Sequence, residues 1–117
     1  MMRARQCLCA AGLVLLAGCA HGSSSSAKAS ARQAVVEAKL PELQSCWSEL
    51  PADQRTRAGS LLFAVDIRRN GAVDWVTLEV DELGVPALSA CAVRRIKRWR
   101  FPEDRRQTIQ FGVGFAP

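Results

Sequence analysis

The dipeptide Asn70-Gly71 stands between two runs of alternating character, Leu61 to Arg69 and Ala72 to Asp81. No other stretch limits the fold so tightly. Asn-Gly supplies the positive φ angles of a two-residue hairpin turn, and period-two apolar alternation on both sides is what half-buried strands need. Such a loop fixes the register: Leu61 faces Val80, Phe63 faces Leu78, Val65 faces Val76 and Ile67 faces Asp74. Cross-strand partners share a face, so this set is the core side. The other face pairs Leu62 with Glu79, Ala64 with Thr77, Asp66 with Trp75 and Arg68 with Val73, and is mixed and wet. A slip of one residue would expose the core set.

The flanking segments supply the cover. Val36, Leu40, Leu43, Trp47 and Leu50 recur at spacings of four and three, an amphipathic helix stripe. Pro41 interrupts it, so the main helix is expected over Pro41 to Leu50, with Gln33 to Lys39 a kinked or frayed lead-in. Pro86 opens a second helix, whose stripe is Leu88, Ala92, Ile96 and Trp99, and Phe101-Pro102 ends it. From Gln107 to Phe115, Ile109, Phe111, Val113 and Phe115 point one way and Thr108, Gln110, Gly112 and Gly114 the other, a period-two strand. The expected architecture is a small α+β domain in the order α-β-β-α-β. A central first strand makes the three-stranded sheet antiparallel, lets both helices cover one face, and leaves the third strand at an edge.

Residues 1–18 read as an export signal of the lipoprotein kind. Arg3 and Arg5 precede a short apolar run, Ala10 to Leu16, too short to span a bilayer as a mature helix. Leu16-Ala17-Gly18-Cys19 matches a lipobox, which makes Cys19 the lipidation site and the mature N-terminus. Several acyl chains would hold the protein stably to its membrane. Ala20, in place of an aspartate, leans towards the outer membrane, facing the periplasm. Residues 19–32 are a Ser/Gly/Ala tether with nothing to bury, and 33–117 form the folded domain. Loss of Arg3 and Arg5 reduces 16 basic residues to 14 against 11 acidic ones, a mild positive balance of +3. Export argues against nucleic-acid work.

The run Asn70-Gly-Ala-Val-Asp-Trp-Val resembles the G-x-V-x-x-V hairpin of TonB C-terminal-like domains. The later run Leu88 to Pro102, with Cys91, Ile96 and Trp99-Arg-Phe-Pro102, resembles the same superfamily and is most similar to its AgmX/PglI type. The resemblance covers about Leu43 to Phe115. It implies a TonB-like fold and a partner bound as an extended peptide along the third strand, in envelope transport or gliding-type machinery. It also implies pairing of a first-helix cysteine with a second-helix one. The final strand ends Phe111-Gly-Val-Gly-Phe115 rather than in the proline-aromatic form of the type. With no transmembrane helix, motor-contacting segment or proline-rich spacer, energy transduction is not implied.

Catalysis needs a placed acid, base or nucleophile. The one histidine, His21, lies in the tether, there is no CxxC, and no metal-ligand spacing occurs. A non-catalytic protein without metal or cofactor is expected. Of five cysteines, Cys7 and Cys9 leave with the signal and Cys19 carries lipid, so Cys46 and Cys91 remain in an oxidising compartment. They are either buried free thiols or a structural disulfide; the compartment and their helices' shared sheet face favour the disulfide. Arg94, Arg95, Lys97, Arg98, Arg105 and Arg106 form a basic patch, either a solvated helix face or a site for an anionic envelope polymer or lipid. The third strand is either an inert edge or a strand-addition site. There Thr108, Gln110, Gly112 and Gly114, together with Trp75 on the open face, are the candidate contacts for an envelope protein partner.

Overall fold

The computed structural model describes residues 26–117. The lipobox and Cys19 lie outside the described residues. The chain divides into two compact units, Met1–Ala31 and Arg32–Pro117. Of the first, the described residues 26–31 are helical. The second carries the domain.

A long helix, α1, runs through 26–48. The tether expected up to Arg32 is therefore helical from residue 26. Ala27, Lys28, Ala29 and Ala31 favour helix, and extending an existing helix avoids the nucleation step. Pro41 does not end it. A proline inside a helix costs about 3 kcal/mol, but Val36 on one side and Leu43, Cys46 and Trp47 on the other are all buried on one stripe. Burial at roughly 1.5–3 kcal/mol per large side chain keeps the helix continuous through the missing hydrogen bond.

After a short 3-10 turn at Ala52–Gln54 come β1 (Gly59–Ile67), β2 (Val73–Asp81), α2 (Pro86–Ile96) and β3 (Gln107–Phe115). The strand order is β2-β1-β3, antiparallel throughout. With α1 the order is the expected α-β-β-α-β. Leu61, Phe63, Val65 and Ile67 of β1 are buried together with Leu43, Leu88, Ala92 and Ile96 from the helices and Trp99 from the turn after α2. Aromatic rings bind the layers: Trp47 lies 5.5 Å from Phe115 and Trp99 5.6 Å from Phe111, while within the sheet Phe63 lies 5.7 Å from its cross-strand partner Phe111.

Cys46 and Cys91 form a disulfide with their Cα atoms 5.9 Å apart. It clamps α1 to α2. Closing a loop of 45 residues stabilises the fold by about 4 kcal/mol on the chain-entropy argument. Arg95 repeats the clamp with polar atoms, donating from Nη1 to the Glu42 carbonyl at 2.5 Å and from Nη2 to the Glu49 carboxylate at 3.3 Å.

The hairpin departs from the expected turn. Gly71 N–H donates to the Arg68 carbonyl and Arg68 N–H to the Ala72 carbonyl, both at 2.9 Å. Only Gly71 takes a positive φ here, +86°, and no non-glycine residue does. This is the three-residue loop, a turn centred on Arg69 and Asn70 followed by a left-handed glycine, and not the two-residue Asn-Gly turn. Its mouth pairs Ile67 with Val73. A bulge then restores the expected pairs, Asp66 with Trp75, Val65 with Val76, Ala64 with Thr77 and Phe63 with Leu78. A second irregularity pairs Leu62 with Val80 and Leu61 with Asp81.

Two expected placements change as a result. Asp74, expected opposite Ile67 on the core side, sits in the first bulge, and Val73 takes its place. Val80, expected in the core opposite Leu61, is turned to the other face and is 46 % exposed. One extra residue reverses the side-chain alternation beyond it.

α2 also ends earlier than its apolar stripe. It stops at Ile96, and the chain turns back so that Arg100 bridges Ala72 and Phe101 N–H donates to the Gly71 carbonyl at 2.9 Å. Trp99 is nonetheless buried, delivered by the turn rather than by the helix.

Candidate functional site

The site follows from which backbone groups of β3 face outward. Ser60 of β1 directs both its backbone groups towards β2, its N–H donating to the Glu82 carboxylate at 2.8 Å and its carbonyl accepting from Glu82 N–H at 3.1 Å. Ser60 pairs with Gly114 of β3, and nine pairs run without irregularity from Gly59–Phe115 to Ile67–Gln107. In an antiparallel ladder the hydrogen-bonded and free pairs alternate. The odd-numbered residues of β3 therefore bond to β1. The even-numbered ones, Thr108, Gln110, Gly112 and Gly114, aim their N–H and C=O groups at the free edge.

One of these groups is already used. The Gly114 carbonyl accepts from Gln44 Nε2 at 2.9 Å, and the carbonyl of Ala116 accepts from Trp47 Nε1 at 2.9 Å. α1 thus seals the C-terminal end of the edge. Among the described residues, the outward backbone groups of Thr108, Gln110 and Gly112 have no backbone partner. Beside that end, α1 presents a shallow, open surface formed by Glu37, Leu40, Pro41, Gln44, Ser45, Trp47 and Ser48.

The same even-numbered residues carry side chains on the open face. Thr108 Oγ1 donates to Asp66, and Gln110 Nε2 donates to Glu79 Oε1 of β2 at 2.6 Å, across the strand that carries Ala64. Trp75 stands on this face, 60 % exposed, with Lys97 Nζ 5.6 Å from its ring centroid. Val80 joins it there. The Val80 placement and the Gln110–Glu79 bond are legible only once the bulges are known, since nothing in the amino-acid pattern marks them.

The expected basic patch is divided. Arg95 is held by α1, Lys97 lies over Trp75, and Arg106 forms an ion pair with Asp74. Arg94, Arg98 and Arg105 are exposed. Asp74 takes Arg68 on one carboxylate oxygen, at 2.6 Å, and Arg106 on the other. The hydrogen bond from Arg68, and then that from Arg106, hold its carboxyl below the usual range. Glu42 is also held below its usual range: desolvation pushes it up, but hydrogen bonds from Lys39 and Trp99 outweigh that effect.

Among the described residues, no three His, Cys, Asp or Glu side chains converge as metal ligands, and no helix is long and apolar enough to cross a membrane. Comparison with known proteins gives no matching family model, no matching curated protein and no matching solved structure.

Proposed function

We propose that this chain is a non-catalytic, lipid-anchored envelope protein whose TonB-like domain captures an extended segment of a partner protein by adding it to the free edge of β3. The observation that carries the reading is the contrast between the two sheet edges. β2 is interrupted by two irregularities, the device by which natural edges avoid pairing. β3 is straight over nine pairs and contains no proline or lysine, and its outward residues include Gly112, where a neighbouring backbone can approach closely. Strand addition draws affinity from such backbone groups and specificity from pockets for alternate side chains.

The test uses a displayed library of short extended peptides, with amide exchange as readout. A bound strand should protect the amides of Thr108, Gln110 and Gly112, leaving Ile109 and Phe111, already bonded to β1, little changed. Gln110→Pro removes one outward N–H and should abolish binding while the domain stays folded. Selected peptides that bind Gln110→Pro equally well, or protect amides elsewhere, would sink the proposal.

A further inference from the structure

The structure brings together basic residues that the sequence keeps apart. Arg68 and Arg69 stand at the hairpin tip, whereas Lys97, Arg100, Arg105 and Arg106 belong to the segment between α2 and β3. Three backbone contacts hold that segment against the tip: the Ala72–Arg100 bridge, Phe101 N–H to the Gly71 carbonyl, and Asp104 N–H to the Arg69 carbonyl at 3.2 Å. The Arg68–Asp74–Arg106 ion pairs add a fourth tie. Gly71 makes this possible, because a Cβ there would lie 1.8 Å from the Phe101 carbonyl oxygen.

The resulting end of the domain is strongly cationic. Among the described residues its carboxylates are Asp74, shared by two arginines, Asp104, paired with Arg32, Glu103, and Asp66, which lies opposite Trp75 and accepts from Thr108. The side chains of Arg68 and Arg106 are 56 % and 59 % exposed, and Arg69, Arg100 and Arg105 are exposed too. Beside them stands Trp75 with Lys97 over its ring. The opposite end of the hairpin carries Glu79, Asp81 and Glu82, with Arg57 beside them on the Leu83 carbonyl, so the excess of positive charge lies at the tip.

We propose that this tip docks on an anionic membrane surface, with the arginines on lipid phosphates and Trp75 at the headgroup level. The cations spread over an exposed turn and do not line a pocket, which suits an extended charged surface rather than a single small anion. An exposed indole next to a lysine is the amphipathic pair found at membrane–water interfaces. The expected lipid at Cys19 would keep such a surface near. The proposal stands apart from strand addition, since the tip residues leave the outward groups of Gln110 and Gly112 untouched.

The test places the full chain carrying Cys19→Ser, and so without an acyl anchor, with phosphatidylcholine vesicles, with or without phosphatidylglycerol, each carrying chain-brominated lipid that quenches nearby indoles. Quenching is expected with anionic vesicles only, should fall as salt screens the charges, and should vanish in Trp75→Phe, because Trp47 and Trp99 are buried. Each cation is worth about fivefold in partitioning at an anionic surface. Arg69→Gln, Arg100→Gln and Arg105→Gln together should therefore weaken it on the order of a hundredfold. If that variant fails to fold, the comparison of vesicles with Cys19→Ser alone still decides. Equal quenching in neutral vesicles, or none in either, overturns the proposal. Tight binding of soluble polyphosphate without quenching by anionic vesicles also overturns it, and assigns the tip to a polymer.

Discussion

Replacing Gly71 with alanine probes the contact on which the tip depends, and Gly84 provides the internal control. Both glycines have positive φ, +86° and +64°. An alanine in that region costs about 1 kcal/mol from backbone strain alone. At Gly84 nothing lies within 4 Å of the added methyl, so Gly84→Ala should lose about that much and no more. At Gly71 the methyl would lie 1.8 Å from the Phe101 carbonyl oxygen and 2.9 Å from its carbon, both backbone atoms. No side chain can swing aside to make room. The 99–102 segment must move away, which breaks the Phe101–Gly71 hydrogen bond, worth about 1 kcal/mol. It also partly exposes Phe101, whose full burial is worth roughly 1.5–3 kcal/mol. Gly71→Ala should therefore lose about 3–4 kcal/mol, against a total of roughly 4–13 kcal/mol for a domain of this size. Urea unfolding of both variants, with slopes compared to confirm two-state behaviour, gives the difference directly. Amide exchange at Phe101 shows whether the loss begins at the tip. Variants within 1 kcal/mol of each other, with the Phe101 amide still protected, would refute the packing argument.

Two further substitutions address the bulges. Val80→Thr should change stability by less than about 0.5 kcal/mol because Val80 is turned to solvent, whereas Val76→Thr buries a hydroxyl and should lose about 1–3 kcal/mol; equal losses in thermal or urea unfolding would mean an uninterrupted ladder. Asp74→Asn tests the Arg68–Asp74–Arg106 ion cluster through pH. Because the folded carboxyl is held below its unfolded value, by Arg68 first and Arg106 second, its contribution is present above the unfolded pKa and disappears as pH falls through the folded one. The difference in stability between wild type and Asp74→Asn should therefore be largest near neutrality and shrink in acid, and a difference independent of pH would show that the arginines do not act on this carboxylate.

The central part of the hairpin was legible because period-two alternation on two runs joined by a turn leaves few registers open. Phe63–Leu78 and Val65–Val76 are such pairs. The faces of the β3 residues were legible for the same reason, and its edge position followed from the antiparallel arrangement that a central β1 allows. The bulges were not, since alternation in Val73 to Asp81 fits an unbroken ladder equally well, and only the three-residue loop together with the contacts of Asp74 and Glu79 selects the shifted one. Nor was α1, where a local proline signal competes with a buried stripe whose strength depends on the sheet beneath it.

The sequence by itself determined the order of elements and the apolar faces of β1, β3 and the two helices, because periodicity is a local property that every residue of a strand or helix reports. Only the tertiary structure decided where the distant basic segments meet, which way Val80 points and which backbone groups of β3 remain free. Those outcomes depend on single-residue shifts and on one close approach, Gly71 against Phe101, and contacts between residues far apart in the chain leave no period to read.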